Sequence, residues 1–179
     1  MKHPNKIRIV EPIISLIVFA VAVFYVVNVL NTGNWLWFRS TATHTRPSRI
    51  IIIDHGQRTL ITPGHGEFNA LADAVEVSLS KLNNTDLVSI GLSEQTLADY
   101  NTNSVVLELY FDQPVIFNTM ARTGKPTQLL IPITGRHADG GYVFRGAEGK
   151  WWHGALRMAD SAPITGALAQ LGYEITMVP

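Results

Sequence analysis

The chain has 179 residues, 14 Lys and Arg against 14 Asp and Glu, and no cysteine. Balanced charge with no run of one sign argues against nucleic acid as a partner, and the missing cysteines exclude disulfides, thiolate metal sites and cysteine nucleophiles. Once a hydrophobic N-terminal stretch is set aside, the remainder is long enough to bury a core as one ordinary domain.

From Ile13 to Leu30 the chain is apolar except for Ser15, Tyr25 and Asn28. At about 1.5 Å per residue this is roughly 27 Å of helix, enough to cross most of a bilayer's hydrocarbon core. Trp35, Trp37, Phe38 and Arg39 follow, the aromatic and cationic residue types that settle at headgroup level. The spacing predicts residues 1–12 as a short cytoplasmic tail, 13–38 as a transmembrane anchor with its interface, 39–48 as a polar tether and 49–179 as a soluble domain. A cleaved signal peptide would share the basic start of Lys2, Lys6 and Arg8, but the apolar stretch is long for one and no Ala-x-Ala site follows it. The basic residues on the two sides nearly tie; the compact N-terminal group favours the N-terminus inside and the domain outside the cytoplasm of a cell membrane.

Arg49 to Asp54 holds four consecutive isoleucines, a pattern for a strand buried on both faces. His55-Gly56 reads as a turn and Gln57 to Thr62 as the returning arm of a hairpin. After Pro63-Gly64-His65-Gly66, the residues Phe68, Leu71, Ala72, Val75, Leu79 and Leu82 recur at helical spacing and predict a helix over 66–82. Ser93 caps a short helix running through Asp99. Strands are expected over Val105–Phe111, Pro114–Asn118, Thr127–Thr134, Tyr142–Arg145 and in the Lys150–Met158 region. Ser161 opens and Gly172 stops a last helix with Ile164, Leu168 and Leu171 inside, and Tyr173–Val178 closes the chain as a strand. Without regular strand-helix alternation the class is α+β: an N-terminal transmembrane helix, then a mainly antiparallel sheet with two helices packed on one face.

No nucleophile elbow, phosphate loop or zinc-protease motif is present, and no cofactor is expected. Asn83-Asn84-Thr85 is a formal glycosylation acceptor. Histidine beside carboxylate recurs in three predicted loops: Asp54-His55, His65 with Glu67, and His137 with Asp139. Such pairs suit zinc ligation or acid-base work if they converge, and otherwise serve as solvated turn residues. Trp151 and Trp152 lie side by side on an expected strand, where neighbours face opposite ways; both are expected as half-buried packing residues at a sheet edge, the alternative being that one enters the core while the other is exposed for a partner, a glycan or a membrane surface. Arg136, Arg145 and Arg157 could cluster into an anion site, though three scattered arginines over this stretch are ordinary. The expected role is a membrane-anchored extracytoplasmic interaction or accessory domain, with the bilayer and a membrane or envelope protein as partners. The alternative is an envelope metal-dependent hydrolase built on His55, His65, Glu67, His137 and Asp139.

Overall fold

A computed structural model describes residues 10–32, 35, 45–117, 119 and 121–175. The chain divides into two units, one ending at Ser40 and the other beginning at Thr41. In the first, α1 (Val10–Thr32) carries its only acidic group, Glu11, in its opening turn and exposes Ile13, Phe19, Val21 and Leu30 on all sides. A helix apolar all round has no polar face to offer water. Among the described residues it is the one helix long and apolar enough to cross a membrane. The Asn28 amide donates to the Phe24 carbonyl at 2.8 Å, one turn back along the helix. Tyr25 donates to the Trp35 carbonyl at 2.7 Å. Lys2, Lys6, Arg8, Trp37, Phe38 and Arg39 lie outside the described residues.

The second unit is an α+β domain built on a six-stranded sheet. Its elements are β1 (Arg49–Asp54), β2 (Gln57–Ile61), α2 (Phe68–Leu79), α3 (Glu94–Tyr100), β3 (Val105–Tyr110), β4 (Gln128–Pro132), β5 (Tyr142–Ala147), β6 (Lys150–Arg157) and α4 (Ala162–Gln170). The strand order is β2-β1-β3-β4-β5-β6 and every neighbouring pair is antiparallel. His55 and Gly56, both at positive φ, make the tight turn that joins β1 to β2.

The isoleucine run behaves as its composition demands. Ile50 and Ile52 face one side with Leu107, Leu109, Leu129 and Ile131; Ile53 faces the other with Val106, Leu130 and Phe144. The first face is covered by α2 and α4, through Phe68, Leu71, Val75, Leu79, Ile164 and Leu168. Full burial of such side chains contributes about 1.5–3 kcal/mol each, which explains why the helical periodicity of 68–79 wins over its neutral termini. The second face is covered over part of its width by α3 and by the segment bearing Ile90 and Leu92, with Tyr100 fully buried beneath.

Helix ends follow local chemistry. Ser93 accepts from the Thr96 amide at 3.1 Å and caps α3 as its sequence predicts. At α4 the cap comes one residue earlier than expected: Asp160, not Ser161, accepts from the Ala162 amide at 2.8 Å. Gly172, at φ +89°, ends the helix. The α2 helix is shorter than the expected 66–82, because Leu82 leaves it to bridge Met158 beside β6.

Two expected strands take another form. Residues 114–117 form no strand; Val115 and Phe117 are buried and Ile116 is exposed, yet the backbone is held by Val115 N donating to the Pro126 carbonyl at 2.8 Å. Pro114 and Pro126 have no N–H to give, so the alternation exists without a ladder. Tyr173–Ile175 is irregular, with Tyr173 and Ile175 packed on the first core; residues 176–178 of that expected strand lie outside the described residues.

The end of the expected tether is part of the domain surface. Thr45 and Pro47 are buried, and Arg46 donates to Asp73, to Glu76 at 3.0 Å and to Asn69 at 2.8 Å, all on α2, with its guanidinium 5.9 Å from the Phe68 ring centre.

Candidate functional site

The sheet has two ends, and the loop histidines divide between them. At the end holding the β1–β2 turn, His55 Nδ1 meets Asp54 Oδ1 at 2.6 Å, and its amide donates to the Ser104 carbonyl at 3.2 Å. His137 lies at the same end, in the loop between β4 and β5. His65 lies beyond the far end of β2, where its Nδ1 accepts from the Thr62 amide at 3.1 Å. Five residues of β2 at about 3.4 Å each hold it some 17 Å from the His55 turn, too far to share a metal or a substrate atom. Glu67 sits at the start of α2 without capping it, and no hydrogen bond joins Asp139 to His137. Among the described residues no group of three His, Asp or Glu side chains is close enough to hold a metal.

His137 is the most constrained of these residues. It has φ +67° and is wedged against Tyr100, Tyr142 and Phe144, with ring centres 6.5, 6.2 and 5.5 Å away. The Tyr100 hydroxyl donates to the Arg136 carbonyl at 2.8 Å and lies 2.9 Å from His137 Nδ1. A carbonyl only accepts, so the single phenolic proton goes to Arg136 and Nδ1–H of His137 donates to the Tyr100 oxygen. Burial pushes the Tyr100 hydroxyl well above the usual phenol range. Burial and the nearby Arg136 charge pull His137 below the usual imidazole value. Both groups are therefore neutral at pH 7 and serve to pin the 133–141 loop to α3. A cavity of about 370 Å³ opens beside them, lined by Gln95, Thr96, Asp99, Asn103 and Arg136, with no nucleophile held against a base.

At the other end, a cavity of about 650 Å³ is lined by residues including Ser48, Arg49, Thr62, Tyr110, Asp112 and Glu148. The Arg49 guanidinium stacks 4.3 Å from the centre of the Tyr110 ring. Tyr110 donates to Glu108 Oε2 at 3.1 Å, and Arg58 donates to the same oxygen at 2.6 Å while also reaching Asn101 at 3.1 Å. Burial, then the Glu108 charge and hydrogen bond, raise the Tyr110 hydroxyl above its ordinary value. The carboxylate of Glu108 is nearly buried and takes both bonds on Oε2, which makes it an organiser of the sheet face.

The paired tryptophans face opposite sides of β6. Trp151 packs on the second core cluster; Trp152 lies over Gly124 and beside Arg145, whose guanidinium is 5.8 Å from its ring centre. Both are half-buried. His153 Nε2 meets the Ser89 hydroxyl at 3.2 Å.

The three expected arginines do not cluster. Arg136 lines the smaller cavity, Arg157 donates from Nε to the Gly140 carbonyl at 2.9 Å, and Arg145 is buried. Arg145 has no carboxylate. It donates to the Thr123 carbonyl and, at 3.1 Å each, to those of His153 and Gly154, so it ties the β3–β4 loop to β6. Its Nε is buried without a partner, and burial lowers its pKa from the ordinary guanidinium value. The sequence holds one hint of this, a cation inside the otherwise apolar Tyr142–Arg145 strand.

No protein family, curated protein or solved structure matches this chain.

Proposed function

We propose that the chain is a single-pass membrane protein whose C-terminal domain lies outside the cytoplasm and acts as an interaction or accessory module for a membrane or envelope protein. The observation that carries this reading is α1, a helix of 23 residues whose surface is apolar on every side. Such a surface is stable in hydrocarbon and costly in water. The domain's side-chain chemistry supports a binding role over catalysis. His55, His65, His137 and Glu108 are each engaged in structural contacts, and His65 sits at the opposite end of the sheet from His55 and His137.

Purification of the full-length protein from native membranes in mild detergent, followed by mass spectrometry, tests the partner. A stoichiometric membrane or envelope protein is expected; repeated recovery of the chain alone would overturn the accessory role. The anchor is tested separately, since it keeps the protein in the membrane pellet through alkaline carbonate extraction. With no native cysteine, single cysteines placed in the domain report sidedness by their reaction with an impermeant maleimide on intact cells.

A further inference from the structure

The two edges of the sheet are treated differently. Along β6 the edge is covered by residues 83–90: Val88 and Ala155 exchange backbone hydrogen bonds at 3.0 and 2.9 Å, Gly154 N donates to Ile90 at 2.8 Å, and Asn83 N donates to Arg157 at 2.8 Å. Along β2 none of the described residues covers the edge, and Gln57, Arg58, Thr59 and Leu60 are all exposed. An open edge strand is a template for another strand.

The pairing pattern says which groups are open. His55 N donates to Ser104, continuing the β1–β3 register, so the odd positions of β1 face β3 and the even positions face β2. The tight turn closes on Asp54 and Gln57, and the ladder then pairs Ile52 with Thr59 and Ile50 with Ile61. The amides and carbonyls of Gln57, Thr59 and Ile61 therefore point into the sheet. Those of Arg58 and Leu60 point out.

We propose that the β2 edge receives the β2 edge of a second copy of this chain, antiparallel, about a two-fold axis through Thr59. The outward residues are two apart, so this register sets Arg58 of each copy against Leu60 of the other and makes four main-chain hydrogen bonds. Thr59 meets Thr59 at the centre as a closely spaced pair without hydrogen bonds, and the half-exposed Leu60 lies against the stem of Arg58. The charges agree with a self-complementary edge. Arg58 is the edge's only charged side chain, and it is neutralised by Glu108 of its own copy at 2.6 Å, so two copies meet without like-charge repulsion. A pairing this small lies below the area of a standard stable interface, so the dimer is weak and concentration-dependent. This inference is independent of the anchor and of the partner proposed above.

The Cys-free chain allows a test of register. In a closely spaced antiparallel pair the Cα atoms are about 4.5 Å apart, within disulfide range, whereas the two copies of Gln57 are offset by roughly 14 Å. Full-length Thr59→Cys and Gln57→Cys proteins are oxidised with copper-phenanthroline in native membranes and in detergent. The dimer band of Thr59→Cys is expected to exceed that of Gln57→Cys at least tenfold, and Leu60→Pro, which removes an outward N–H and no ladder bond, is expected to abolish the excess. Equal bands at both positions, no dimer at Thr59→Cys, or an excess that survives Leu60→Pro would each overturn the proposal. Failure of the anchor reading shows separately, as release by carbonate.

Discussion

Replacing Arg145 with methionine tests whether a buried cation without a counter-charge holds the long β3–β4 loop in place. The side chain is 3 % exposed and supplies the donors for three carbonyls, those of Thr123, His153 and Gly154. A hydrogen bond from a charged donor contributes about 1.5–3 kcal/mol, and a buried carbonyl left unpaired costs a similar amount. Against this stands the cost of burying the guanidinium, with its Nε unpartnered, which methionine removes while filling much the same volume. The two effects leave a net loss of about 2–4 kcal/mol. For a domain of this size that is a fall in Tm of roughly 10 °C. Far-ultraviolet circular dichroism of the full chain in detergent measures it, and near-ultraviolet dichroism reports the Trp152 environment beside the same loop. Lys125→Met, at an exposed position of that loop, is the control and is expected to change Tm little. A fall below about 2 °C for Arg145→Met would show that desolvation cancels the three bonds and that the loop is held by Val115 and Phe117 instead.

Gly124 has φ +69°, and a Cβ there would lie 2.7 Å from the Trp152 ring, so Gly124→Ala is expected to cost about 2 kcal/mol or more in urea unfolding, with a changed Trp152 signal. His137 is held below its ordinary value of 6.5 in the folded state, so the unfolded chain takes up the proton first on acidification. Its contribution to stability is complete above pH 6.5 and is lost as pH falls from there through the folded value. His137→Asn keeps a residue that tolerates positive φ, and the decline in Tm between about pH 7.5 and 5 should shrink relative to the parent; an unchanged decline would remove His137 as its source.

Elements whose identity depends on near neighbours were legible in the sequence, and arrangements that depend on distant residues were not. Ile50–Ile53 announces a strand buried on both faces because no other secondary structure uses four β-branched residues so well, and both cores claim it. The 68–79 helix, the Ser93 cap and the His55-Gly56 turn follow from spacing and local hydrogen bonding for the same reason. The α+β class with α2 and α4 on one face followed from element order. By contrast, Leu87, Ile90 and Leu92 offer no period, since their irregular segment is shaped by the edge of β6, which lies far away in sequence. Residues 114–117 carry a strand's alternation and bury it as a strand would, but prolines in this loop deny the backbone its ladder. Candidate sites suffer most from this limit. A histidine beside a carboxylate looks the same whether or not a second pair lies opposite, and only sheet topology places His65 a full strand away from His55. The groups that organise the domain, Arg145 and Glu108 with Arg58, carry no motif because their partners are backbone carbonyls or residues on non-adjacent strands.

Arg46 fastens the start of the domain to α2. Composition alone extends the polar tether to Ser48, yet Thr45 and Pro47 are buried and Arg46 grips Asp73, Glu76 and Asn69 on α2. Each exposed ion pair contributes only a few tenths of a kcal/mol to about 1 kcal/mol, because solvent screens it and two long side chains must be ordered. Two carboxylates, an amide and the Phe68 ring acting on one guanidinium together contribute about 1–2 kcal/mol to keeping residues 45–48 docked. Arg46→Ala is therefore expected to leave global Tm almost unchanged while raising local opening by roughly 5- to 30-fold, since 1.4 kcal/mol is about a factor of ten. Hydrogen exchange at the Ser48 amide, which donates to the Tyr110 carbonyl at 2.8 Å at the very start of β1, reads that opening directly. Faster exchange at Ser48 with unchanged exchange at Ile52 means the α2 contacts hold residues 45–48 in place. Unchanged exchange at both means burial of Thr45 and Pro47 holds the segment without the ion pairs.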